Sequence, residues 1–154
     1  MDPLTAIDII NTNKNYIVGI KVRLGKRTSG KNGISPLYIA KEVAEKTNLP
    51  LMVHIDEAPP SYSEVLKKMR PNDILTHCFR PAPNSALDET GILLPAVLEA
   101  RERGVLFDIG HGMGSFCFKV AKIMLSKNFY PDNICIKKEI INEITVKFYL
   151  RKCV

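Results

Sequence analysis

A chain of 154 residues is long enough for one hydrophobic core and too short for two full domains. With 45% hydrophobic and 25% charged residues, 9 Gly, 10 Pro and no long polar tract, disorder and collagen-like repeats are excluded. A net charge of +6 is a mild basic excess that permits an acidic partner without designating one.

In chain order the apolar spacing predicts a leading helix and then five short strands, at 17–20, 51–55, 74–76, 105–109 and 134–136. Helical segments separate them. Ser35-Pro36 reads as an N-cap with proline in the first turn, followed by an apolar stripe of Leu37, Ala40, Val43 and Ala44 that ends near Asn48 and Pro50. Ser61 and Glu64 make a capping box ahead of Val65, Leu66 and Met69. Pro95 opens a third helix that Gly104 terminates, and Ser115 is expected to begin a fourth, with Phe116, Val120, Ile123 and Met124 on its buried side. Apolar strands joined by helical crossovers imply an α/β fold with a parallel sheet, either an open doubly wound sheet or part of a (β/α)₈ TIM barrel.

The start of the chain, Met1-Asp2-Pro3-Leu4, lacks the basic flank and apolar stretch of a signal peptide, and no apolar run nears the roughly 20 residues of a membrane span. A cytoplasmic protein with no membrane partner is expected. Cys78, Cys117, Cys135 and Cys153 lie far apart with no CxxC spacing, so reduced and mostly buried thiols are expected.

In parallel α/β proteins chemistry collects at the C-terminal ends of the strands, where successive loops converge. Those ends carry Lys21, His54, His77 and the Gly110-His111-Gly112 turn, so all three histidines fall there. Imidazoles from adjacent strand ends can meet one ion, although each alone would also serve as a hydrogen-bonded core residue. Lys21, directly after an apolar run, is expected to be partly desolvated or else to snorkel to solvent. The cluster Arg23, Lys26, Arg27 and Lys31 is read as a solvated loop in preference to an anion-binding one. Glycines 110, 112 and 114 allow close backbone approach but lack the full dinucleotide pattern. Asp56, Glu57 and Asp108 are carboxylates near strand ends, where capping a loop amide is the usual role.

Four stretches resemble the amidohydrolase superfamily, in particular its dihydroorotase-like amidohydrolase/deacetylase metallohydrolases. They are Val18-Gly19-Ile20-Lys21-Val22-Arg23, Leu49-Pro50-Leu51-Met52-Val53-His54-Ile55, Asp73-Ile74-Leu75-Thr76-His77-Cys78-Phe79 and the run from Arg103 to Gly112. The resemblance covers about residues 4–133 and implies strands four to eight of a distorted (β/α)₈ barrel that holds two divalent metals, usually zinc. It further implies a CO2-derived carbamate on Lys21 bridging the metals, with His54 and His77 as ligands and at most one zinc retained here. Lys21 and His54 lie 33 residues apart and His54 and His77 lie 23 apart, each about one βα unit of a barrel. Arg23 and His111 are the expected substrate-binding residues, the substrate being a small acylated molecule hydrolysed at an amide or ester bond.

The same resemblance requires a His-x-His pair that this sequence lacks, and it sets Lys137 where the family carries a catalytic aspartate. No catalytic residue is therefore assigned. Residues 1–136 are read as a partial barrel domain and 137–154 as a divergent basic tail, in which five basic residues face two acidic ones for a net +3. A truncated or frame-disrupted chain is the expectation. The alternative is a non-catalytic α/β fragment that associates with itself or with a complementing barrel half. Nucleic-acid binding is not expected, because the basic residues are not interleaved with aromatics.

Overall fold

The computed structural model describes residues 2–112 and 114–134. Five α-helices, α1 (Pro3–Thr12), α2 (Ser35–Thr47), α3 (Tyr62–Leu66), α4 (Pro95–Glu102) and α5 (Phe118–Ser126), interleave with four strands, β1 (Ile20–Leu24), β2 (Leu51–Ile55), β3 (Ile74–Thr76) and β4 (Leu106–Asp108). The strands are all parallel and lie in the order β1-β2-β3-β4. A doubly wound sheet reverses its strand order at the switch point, whereas a barrel adds each strand beside its predecessor. The described strands follow the barrel pattern.

Local chemistry sets the helix ends. Asp2 caps α1 by accepting from the amides of Leu4 and Thr5, with Pro3 in the first turn, and the Ser61–Glu64 capping box forms at α3 as its sequence predicts. Two starts differ from expectation. Ser35 is the first residue of α2 and gives no side-chain cap, the N-cap position being Ile34. Helix α5 begins at Phe118 after Cys117, three residues later than Ser115 would set it, and the Cys117 amide donates to the carbonyl of Phe79.

The sheet has two faces of different character. Val22, Leu24, Leu51, Val53, Ile55, Leu75 and Phe107 are buried in one core with Leu37, Ala44, Val65, Leu66, Val97 and Met124 from the helices. Each large side chain so buried contributes roughly 1.5–3 kcal/mol. Helix α2 packs on β1 and β2, with α1 beside it and α3 beside α4. Strand alternation turns Lys21, Arg23, Met52, His54, Ile74, Thr76, Leu106 and Asp108 to the opposite face.

Strand β1 spans Ile20–Leu24 rather than 17–20. The apolar run ends at Ile20, but the period-2 pattern continues, with Val22 and Leu24 buried between exposed Lys21 and Arg23. Strand β4 is shorter than expected, Leu106–Asp108. Of the fifth expected strand, Ile134 is described without strand geometry, and an isolated parallel bridge joins Asp108 to Asn133 just before it. Its remaining residues, Lys137 and the 137–154 segment lie outside the described residues, as do Cys135 and Cys153. Cys78 is buried and Cys117 half-buried, both as free thiols. No described helix is long and apolar enough to cross a membrane.

Candidate metal centre at the strand ends

Register places Arg23 opposite His54, and Thr76 opposite Asp108. His54 is the fourth residue of β2, and His77 follows β3 directly. Their rings come together edge to face, with centroids 4.7 Å apart. Lys21 lies two residues before Arg23 on the same face of β1, within electrostatic reach of both imidazoles. Lys21, His54 and His77, 56 residues apart from first to last by number, are thus gathered on one side of the sheet. Lys21 stands inside β1 rather than at its end, and it is exposed rather than partly desolvated.

His77 adopts φ 65°, a left-handed conformation that costs a non-glycine residue about 1–3 kcal/mol. The surroundings hold it there. His77 Nδ1 meets the carbonyl oxygen of Gly110 at 2.6 Å, and the flanking backbone is fixed by the Cys78 amide on Asp108 O and by the Arg80 amide on His77 O, both at 3.0 Å. Since a carbonyl can only accept, Nδ1 must carry the proton, and in the neutral ring Nε2 keeps its lone pair. Beneath this contact Thr76 Oγ1 donates to the fully buried Asp108 Oδ2 at 2.6 Å.

Electrostatics favour the neutral form of both imidazoles. Burial pushes His54 down to about 4, with the neighbouring His77 and the cation of Arg23 acting in the same direction and Asp56 opposing them. His77 is also lowered, first by burial, while its bond to Gly110 works the other way. Neutral rings with a free lone pair are the form that ligates a divalent metal. Two such nitrogens beside a lysine amine fit part of a metal site. Among the described residues, no group of three or more His, Cys, Asp or Glu side chains could hold an ion unaided, so a Lys-derived ligand or further donors would be needed to complete the shell.

An open pocket of about 540 Å³ lies beside His54, lined also by Arg23, Arg27, Thr28 and Asp56. Arg23 therefore belongs to the site's mouth. His111 does not line it; its exposed ring tilts against Phe116 at 5.3 Å between centroids. The basic loop is solvated as expected, with Arg27 75% exposed and paired with Glu57. Asp56 Oδ1 accepts from the Arg27 amide at 3.3 Å, the loop-capping role, while its buried Oδ2 has no partner.

Three contributors go beyond the sequence reading. Arg80 donates to the carbonyl of Ile55 across the β2 and β3 loops. Asn84 accepts from the Tyr62 amide and donates to the carbonyls of Asp56 and Pro60, fastening the loop after His54. Gly110 receives His77. Only Gly110, inside the glycine run, carried a signal that could have found it.

The fold and the strand-end cluster together define the arc of a parallel barrel with His54 and His77 gathered at its rim. No protein-family model matches the chain. A deacetylase from Enterococcus faecalis is 45% identical over 122 residues, covering 78% of this chain and 33% of that relative. Among solved structures, an adenine deaminase superposes with a TM-score of 0.83 at 38% identity, covering 86% of this chain and 37% of the other. A dihydroorotase superposes with a TM-score of 0.77 at 34% identity, over 87% and 35% respectively. The chain is similar to amidohydrolase-superfamily proteins, its parallel strands are consistent with a partial (β/α)₈ fold, and it spans about a third of the length of the relatives it matches.

Proposed function

We propose that Lys21, His54 and His77 form part of a metal-dependent amidohydrolase site that hydrolyses the amide or ester bond of a small acylated substrate. The observation that carries this reading is the meeting of two neutral imidazoles from adjacent strand ends, 4.7 Å apart, in a chain similar to a deacetylase and to a dihydroorotase. A divalent metal, zinc in the first instance, would supply Lewis-acid polarisation of the acyl carbonyl and acidify a bound water. His77 offers Nε2 because Gly110 holds Nδ1–H. His54, with its pKa near 4, is neutral throughout the physiological range. Lys21, as a CO2-derived carbamate, would present oxygens in place of an ammonium, removing a cation that otherwise opposes a metal. Arg23 borders the pocket where the substrate would enter, and His111 would reach it only by leaving Phe116.

Zinc stoichiometry tests the reading. Purified protein reconstituted with zinc and bicarbonate should retain up to one zinc per chain; retention of none overturns the metal site.

A second reading, a non-catalytic fragment that pairs with its own copy or with a complementing barrel half, is favoured by one feature. Beside β1, Ile9, Ile10, Ile17 and Ile20 line an open groove of about 410 Å³, and Ile9 is 51% exposed. Parallel edges and apolar grooves of this kind pair readily. Sedimentation equilibrium should then show a dimer or larger species if the chain pairs with its own copy, and a monomer at all concentrations removes self-association.

A further inference from the structure

Gly110 sits just beyond β4 at φ +52° and faces three side-chain atoms of the adjacent strand ends. A Cβ built there would stand 2.7 Å from His77 Nδ1 and 3.1 Å from Asp108 Oδ2, and closer still to Thr76 Oγ1. None of these neighbours can give way easily. Thr76 and Asp108 are buried and bonded to each other, and His77 is fixed by its own backbone bonds. The space over Gly110 is therefore filled by the pair that aligns His77, and the Gly110 carbonyl receives the His77 ring proton at 2.6 Å.

We propose that Gly110 is a positioning residue for His77, whose carbonyl selects the Nδ1–H tautomer and whose missing side chain lets that contact form. The inference rests on the metal-binding reading for its functional meaning but not for its geometry. In solution a neutral imidazole favours the Nε2–H tautomer, which blocks the nitrogen that His77 has left for a ligand. A hydrogen bond from the other ring nitrogen to a carbonyl is the usual way a metal-ligating histidine is oriented, and its loss typically costs roughly 10–100-fold in metal affinity. Gly110 thereby ties the β4 loop to the ligand on β3 without touching a metal or substrate itself.

Long-range ¹H–¹⁵N correlation spectra of the metal-free chain at neutral pH read the tautomer directly. The unaltered chain should show His77 protonated on Nδ1, and Gly110→Ala should shift it toward Nε2–H while zinc affinity by calorimetry falls roughly 10–100-fold. His77→Asn keeps a donor for the Gly110 carbonyl and tolerates the left-handed backbone. It should unfold near the unaltered midpoint yet lose zinc. An Nε2–H signal for His77 in the unaltered chain overturns the proposal even if Gly110→Ala does not fold, as does an unchanged His77 signal in a folded Gly110→Ala. If the Nδ1–H signal appears but no zinc is retained, the positioning stands and the metal reading alone falls.

Discussion

The two ends of the sheet are built on opposite terms. At the N-terminal end Asp73, fully buried, is saturated: its carboxylate accepts from the Leu51 amide at 3.1 Å, the Arg70 amide at 2.8 Å, Arg70 Nε at 3.2 Å and Arg70 Nη2 at 2.9 Å. Its backbone carbonyl receives the Leu106 amide. One residue thus stitches the starts of β2, β3 and β4. At the C-terminal end Arg23, His54, His77 and Arg80 gather, with Lys21 further back on the same face of β1, and Asp56 Oδ2 and Arg80 Nε stay buried without hydrogen bonds. The saturated end contributes rigidity, whereas the other end keeps polar groups available, which is the division between stability and chemistry expected across a parallel barrel.

Removing the keystone of the saturated end should have the largest effect. Asp73→Ala leaves the buried Leu51 amide without its acceptor and the Arg70 guanidinium with only the Leu49 carbonyl, and we expect a loss of about 3–5 kcal/mol in urea unfolding. Below that comes the open end. His54→Ala should lower zinc affinity at least 100-fold, about 2.7 kcal/mol, while shifting the unfolding midpoint far less than Asp73→Ala. A large stability loss in His54→Ala with zinc retained would erase the contrast between the ends.

How much of this contrast is legible in the sequence depends on whether both faces of a strand are apolar. Strand β2, buried at Leu51, Met52, Val53 and Ile55, reads as one apolar run, so His54 falls correctly near its end. In β1 the inner face is Lys21 and Arg23; polarity there reports the site rather than the end of the strand, and the apolar run stops at Ile20, four residues before Leu24. The pairing of His54 with His77 follows from strand order. Asp73 is a different case: in Arg70-Pro71-Asn72-Asp73 it has the composition of an ordinary turn, and nothing local announces its two cross-element bonds, from the Leu51 amide to its carboxylate and from the Leu106 amide to its carbonyl. Gly110 was visible as a loop glycine, but its purpose depends on Thr76 and His77, which are distant in sequence.

Acid should weaken the open end selectively. His54 has its pKa lowered from 6.5 to about 4 in the folded, metal-free chain, so the folded state binds fewer protons than the unfolded one between those values. The corresponding stability is fully present above pH 6.5 and is lost as pH falls toward 4. Because His54 remains partly exposed, the loss should be on the order of 1–2 kcal/mol after solvent screening. Unfolding midpoints across this range check it: His54→Gln should flatten the pH dependence, and an equally steep dependence in that variant would assign it to other groups.

The smallest effect separates charge from packing at the same rim. Arg23 is exposed and lies opposite His54 in the register, and its cation is one of the causes that lower the His54 pKa, behind burial and His77. Arg23→Ala should therefore leave stability within about 0.5 kcal/mol and raise the His54 pKa only part of the way back. Proton NMR titration of the His54 ring reads the change. Full recovery of the ordinary value would mean that the arginine charge, rather than burial, governs His54. No change would mean that Arg23 faces solvent too freely to act on the pocket, and its place in the substrate mouth would then lose its electrostatic basis.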